Sequence, residues 1–164
     1  MPAYATPEWL EEVAKIYRSD PANEQMLKRL KSVTFVFRIA AEPRFGIDPD
    51  LYFMQRLEDG VLKEIKFVTL EEGKKIATWI IAGTFDVWRD VIQKKLKMTT
   101  GIIQGKLKVE SGDQAAIIVR VGPVAFQMAT SFNNAETIWP DQMSLDDLAA
   151  YKAKVSDFRK KLGV

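Results

Sequence analysis

The sequence predicts an α+β fold, in which helices and strands fall in separate blocks of the chain. Apolar residues recur at three- and four-residue steps at both ends, the helical period. Between them the period drops to two over four short runs separated by turn residues. A second helical block and one further short strand follow.

The first helix starts at Thr6-Pro7, an N-cap followed by a residue whose missing N–H costs nothing there. Glu8, Glu11 and Glu12 suit its positive end, and Trp9, Leu10, Val13, Ile16 and Tyr17 make its apolar face. Asp20-Pro21 caps a short second helix through Met26, Leu27 and Leu30. Val33, Phe35, Phe37 and Ile39 then alternate with Thr34, Val36, Arg38 and Ala40, which is a strand. After the loop EPRFGIDPD, LYFMQRL and VLKEIKFV flank Asp59-Gly60 and read as a β-hairpin. TLEEGK reads as a turn into a fourth strand, KIATWIIA. Four strands with short links predict antiparallel neighbours.

GTFDVWRDVIQKKLK reads as a helix, capped by Thr84 with Asp86 at its positive end and Lys94, Lys95 and Lys97 at its negative end. Its apolar band (Phe85, Val87, Trp88, Val91, Ile92, Leu96) is wider than one contact needs, which predicts contact on two sides. MTTGIIQG reads as one more helical turn and GKLKVE as a short fifth strand. The oily run AAIIVRVGPVAFQMA, residues 115–129, has a core, Ile-Ile-Val-Arg-Val, of strand propensity that periodicity alone does not settle; the favoured reading is a helix to about Gly122 and a second from Pro123. The last segment opens at Ser144 and repeats Leu145, Leu148, Tyr151, Val155, Phe158 and Leu162 at helical steps. The chain is one domain, 1–164, with N-terminal helices in 1–32, a core of sheet and helices in 33–130 and a C-terminal helix in 144–163.

Composition narrows the chemistry. Neither histidine nor cysteine occurs, which excludes Ser-His and Cys-His nucleophile arrangements, disulfides and the commonest metal ligand. The net charge of +2 gives no reason to expect a nucleic acid as partner. MPAYATPEWLEEVAK lacks the basic start and apolar core of a signal peptide, and the run at 115–129 is short for a bilayer and holds Arg120, so the expected location is cytoplasmic. Asp86 with Asp90, and Asp48 with Asp50, are too few oxygens for calcium and read as capping and surface; no metal is expected.

Residues 83–113, GTFDVWRDVIQKKLKMTTGIIQGKLKVESGD, resemble the sterol carrier protein type-two family of lipid carriers. That pattern has a strand ending in glycine, a helix with an early aromatic residue, a Met-containing turn, and G-K-L-K-V-x-G-D. Gly83, Trp88, Met98 and Gly105-Lys106-Leu107-Lys108-Val109 stand in those places, with one extra residue before Gly112-Asp113. The likeness covers roughly residues 33–130; the N- and C-terminal helices lie outside it. It implies a five-stranded, mainly antiparallel sheet with helices over one face. It also implies a tunnel for fatty acids, fatty acyl-coenzyme A or sterol-like molecules, with no cofactor and no covalent step.

The expected lining is Trp79 and Ile81 on the fourth strand, Phe85, Trp88 and Ile92 on the following helix, and Met98, Ile102 and Ile103 in the linking turn. Ile118, Val121, Phe126 and Met128 come from the oily run. Any one of these alone reads as an ordinary core residue; the resemblance gives the set its weight. Arg120 is the candidate for a ligand's carboxylate or phosphate, against the plainer reading that its stem follows the helix to water.

An enzyme would have to use Asp, Glu, Lys, Ser or Tyr, and no convergent set is visible, so the chain is read as non-enzymatic. The alternative to a lipid carrier is a non-catalytic interaction or oligomerisation subunit of an acyl-metabolising complex, with the terminal helices binding another chain or a second copy. Lys152, Lys154, Arg159, Lys160 and Lys161 could also touch an anionic membrane surface, though Asp146, Asp147 and Asp157 dilute that charge.

Overall fold

A computed structural model describes residues 1–164. Five strands form one sheet in the spatial order β3-β2-β1-β4-β5, with β1 at Ser32–Ile39, β2 at Leu51–Glu58, β3 at Val61–Val68, β4 at Trp79–Gly83 and β5 at Lys108–Ser111. Neighbours are antiparallel except β1 and β4, which run parallel with Phe35 opposite Trp79 and Phe37 opposite Ile81. A parallel pair needs a crossover, and short links alone did not predict one. Helix α3, Leu70–Ile76, occupies the segment expected to be a turn and the start of β4. Thr69 and Glu72 close a reciprocal capping box that fixes its start. It lies on the far face of the sheet, where its Gly73 approaches Val36.

The hairpin between β2 and β3 turns at Asp59 and Gly60, both with positive φ, as a tight two-residue link requires. The other helices gather on the opposite face from α3. They are α1 (Pro7–Ser19), α2 (Pro21–Leu27), α4 (Phe85–Ile92), α5 (Met98–Ile103), α6 (Gln114–Val121), α7 (Ala125–Asn134) and α8 (Leu145–Leu162). Helix α4 is shorter than its sequence suggested: Lys94 takes a positive φ, so the lysines follow the helix instead of capping it. Helices α6 and α7 are joined by a 3₁₀ turn over Gly122–Val124, so the oily run bends there and continues to Asn134. The stretch Gln114–Asn134 is long and apolar enough to cross a bilayer by length and composition, a length the run at 115–129 did not reveal. Half of its most apolar window is buried within the fold, as in the core helix of a layered domain.

The two faces are filled unequally. Val33, Phe35, Phe37 and Ile39 of β1 and Leu51, Phe53 and Leu57 of β2 point into a cluster of 40 buried residues beneath the helices. The far face carries five, Val36, Tyr52, Met54, Val68 and Ile80. The terminal helices bury most of their apolar faces: Trp9, Leu10, Val13 and Tyr17 of α1, and Tyr151, Val155 and Phe158 of α8, join the large cluster, while Leu145 and Leu162 at the two ends of α8 stay exposed. Phe158 stacks on Phe67 with ring centres 5.1 Å apart.

Candidate lipid-binding cavity

Between the centre of the sheet and helices α1, α4, α5 and α7 the packing leaves a cavity of about 50 Å³. Fourteen residues wall it and thirteen are apolar. The sheet contributes Phe37, Ile39, Phe53 and Gln55, the floor of the space. Helix α4 contributes Trp88, Val91 and Ile92, and α5 contributes Met98. Ala125, Met128, Ala129 and Phe132 come from α7, and Tyr4 and Trp9 close the remaining side. Phe37 and Phe53 face each other across the middle of the sheet, yet each keeps 6% of its surface accessible. That residual area is what a void against their rings would leave.

Local structure holds the wall in place. Thr6 accepts a hydrogen bond from the Trp9 backbone N–H, and the Trp9 indole donates to Thr137 Oγ1 at 3.0 Å. The Trp88 indole donates to the Arg38 carbonyl at 2.9 Å, which ties α4 to β1. Gly83 makes that approach possible, because a Cβ there would lie 2.9 Å from Trp88 Nε1 and 2.5 Å from Leu107. Tyr4 packs edge-on against Trp9 and Phe85. Burial raises the Tyr4 phenol well above its ordinary pKa, so it stays neutral.

Four of the twelve expected lining residues meet at this space: Trp88, Ile92, Met98 and Met128. Trp79, Ile81, Phe85, Ile102 and Val121 are buried in the surrounding core, outside the cavity wall. Ile118 is half-buried against the same core. Ile103 and Phe126 point outward, 69% and 46% exposed, each adjacent in sequence to a buried residue and so rotated off the inner face. Arg120 is committed elsewhere. Its Nη2 donates to the Leu30 carbonyl at 2.8 Å and its guanidinium lies over the Trp79 ring, 5.1 Å from the centre. The paired acids are engaged too: Asp50 binds Arg38, and Asp86 binds Arg89 at 3.4 Å.

The residues that sequence reasoning missed are those of the sheet floor and the N-terminus, together with Val91 on α4 and Ala125, Ala129 and Phe132 on α7. Tyr4 and Trp9 lay in a segment treated as outside the core, and nothing in local periodicity says which surface an N-terminal helix will cover. Gln55 did leave a signal. In LYFMQRL it shares its parity with Leu51, Phe53 and Leu57, so an amide occupies an inward slot of a strand. It is 1% exposed, and no donor of the protein reaches its Oε1.

The architecture is similar to that of solved sterol carriers. A conserved hypothetical protein of Thermus thermophilus, described as possibly a sterol carrier protein, superposes with a TM-score of 0.70 at 16% identity, over 81% of this chain and 90% of that one. A crystal structure of sterol carrier protein 2 gives 0.67 at 17% identity, over 79% and 96%. The sterol carrier protein domain 2 of Helicoverpa armigera gives 0.52 at 15% identity, over 75% and 87%. No family profile and no curated protein matches the sequence. The chain has the sterol carrier protein type-two fold, with one parallel strand pair in a mostly antiparallel sheet.

Proposed function

We propose that this protein binds, and passes on without covalent chemistry, an apolar lipid of the fatty-acid, fatty acyl-coenzyme A or sterol-like class, held in the cavity between the sheet and helices α4, α5 and α7. The observation that carries this reading is an internal void with an almost wholly apolar wall, in the fold of sterol carriers. Each methylene moved from water to such a wall gains about 0.8 kcal/mol. A chain of about ten methylenes therefore gains on the order of 8 kcal/mol before its ordering costs.

The cavity is smaller than the ~300 Å³ at which ligand pockets begin, so uptake includes an opening of the wall. Met98 and Met128 are suited to that. Their unbranched thioether side chains change rotamer at small cost and repack around ligands of different shape. Ala125 and Ala129 on α7 bring little bulk to the same side of the space.

Native mass spectrometry of protein purified from cells tests the reading, with fluorescence titration of the stripped protein by decanoate and 1-decanol. Trp9 and Trp88 both wall the cavity and report occupancy directly. The expected result is a co-purifying lipid mass and a saturable change in tryptophan emission. A protein that emerges empty, and whose emission ignores added chains, overturns the proposal.

A further inference from the structure

We infer that Gln55 is a specificity-determining residue that selects a neutral lipid entering hydroxyl-first, its O–H hydrogen-bonded to the Gln55 amide on the cavity floor. The inference rests on the proposed lipid binding and says which end of the ligand goes in and what that end must be.

Three observations lead to it. Apart from the Tyr4 phenol and the Trp9 and Trp88 indoles, which donate to Thr137 and the Arg38 carbonyl, Gln55 brings the one polar side chain among the fourteen that wall the cavity. It is 1% exposed, and its Oε1 has no hydrogen-bond donor in the protein. Its position leaves no neighbour to supply one, since it stands opposite Phe35 on β1 and Ile65 on β3, with Phe53 and Leu57 on the same face of its own strand. A buried amide oxygen without a partner is destabilising, and an apolar residue of similar size would remove the cost. A group inside the cavity that donates a proton removes it as well, once the amide turns its oxygen toward the space.

The chemistry of the donor follows from the rest of the wall. No lysine, arginine or histidine borders the space, and Arg120, the candidate cation, is bonded to Leu30 and stacked on Trp79. An ionised carboxylate or phosphate at the floor would lose its hydration with no counter-charge, and it offers no proton to Oε1. A hydroxyl is neutral and both donates and accepts, so it matches the amide whichever way the amide is turned. A charged acyl chain bound in the same cavity would therefore lie the other way round, with its head group outside and its methyl end inward.

The test compares 1-decanol and decanoate at pH 8 on the wild-type protein and on Gln55→Leu, following tryptophan emission and the thermal midpoint of the ligand-free protein. Gln55→Leu should fold and melt higher than wild type. Its affinity for 1-decanol should fall about fivefold to tenfold, the loss of one neutral hydrogen bond, while its affinity for decanoate stays within about twofold. Equal weakening of both ligands would assign Gln55 a packing role, and unchanged affinity for both would make its niche a site for a trapped water; either result overturns the inference and leaves the lipid reading standing. If neither ligand perturbs the tryptophans of either protein, the lipid reading has failed and takes the inference with it.

Discussion

Two regions beneath the helices set a polar group in apolar surroundings, and they treat it in opposite ways. Around Trp79 every polar atom of note has found a partner. Its indole donates to the Asp113 carbonyl at 2.9 Å, its ring stacks on Phe35, and Arg120 covers it while bonding Leu30. Around Gln55 the walls stand apart and the amide oxygen is left without a donor. Both regions are buried and rich in aromatic rings, so burial and composition do not tell a closed core from a binding cavity. What separates them is unfilled volume together with an unmet hydrogen bond.

The largest effect that follows from this contrast is on stability. Trp79→Ala should cost about 3–5 kcal/mol, because a tightly surrounded indole leaves a hole that its neighbours cannot close. Met128→Ala should cost nearer ~2 kcal/mol, since a side chain bordering a void has fewer contacts to lose. Urea denaturation of the two variants checks the difference. Equal costs would mean that the cavity wall is packed as tightly as the Trp79 region.

The next effect is in alkali. Burial raises the phenol pKa of Tyr4, Tyr17 and Tyr151, with Tyr17 pushed up to about 12. A folded-state pKa above the unfolded value near 10 means the stabilisation is complete below about pH 10 and is lost as the pH climbs through the folded value. Stability should therefore hold to about pH 10 and then fall, with Tyr4 and Tyr151 ionising only as the chain unfolds. Ultraviolet absorbance of tyrosinate, followed alongside circular dichroism, reads both. Ionisation of all four tyrosines near the ordinary phenol value in the folded protein would show that water reaches Tyr4 through the cavity.

Smaller again is the effect of Arg120→Met, which tests the closed side of the comparison. It removes one hydrogen bond and one ring contact and should cost about 1–2 kcal/mol, measured by thermal melting. Uptake of decanoate should be unchanged, because Arg120 faces Trp79 and Leu30 instead of the cavity. A selective loss of decanoate binding would return Arg120 to the head-group role that its place in the oily run suggested.

These residues also show how far the sequence could be read. The alternation from Val33 to Ile39, the cap at Thr6-Pro7 and the phrase at 83–113 were enough for the fold class, because each reports a local backbone state. The parallel pairing of β1 with β4 was not legible, since period two says that a strand exists and nothing about its neighbour. Helix α3 was hidden by its brevity, although Thr69 and Glu72 carried its signature. At the site, Trp88, Ile92, Met98 and Met128 were found because they lie on inward helix faces near the motif. Ile103 and Phe126 mark the limit of that method. In a short helix one residue's error of phase turns an inward side chain to solvent. The void itself is a property of the whole packing and has no local code.

The smallest predicted change is the most direct test of that void. Ala129 lines the cavity from α7. Ala129→Met should lengthen a side chain into empty space without a β-branch that helices resist, and a thioether can settle into an irregular gap. A filled void should stabilise the protein by about 0.5–1 kcal/mol, seen as a higher melting temperature. The same substitution should weaken uptake of 1-decanol, because the added atoms occupy the volume the chain needs. The two changes must come together. A higher melting temperature with uptake intact would mean the ligand lies elsewhere, and a lower one would mean α7 already sits against the sheet with no room between. A gain in stability matched by a loss of binding is what distinguishes a cavity kept open for use from a packing defect.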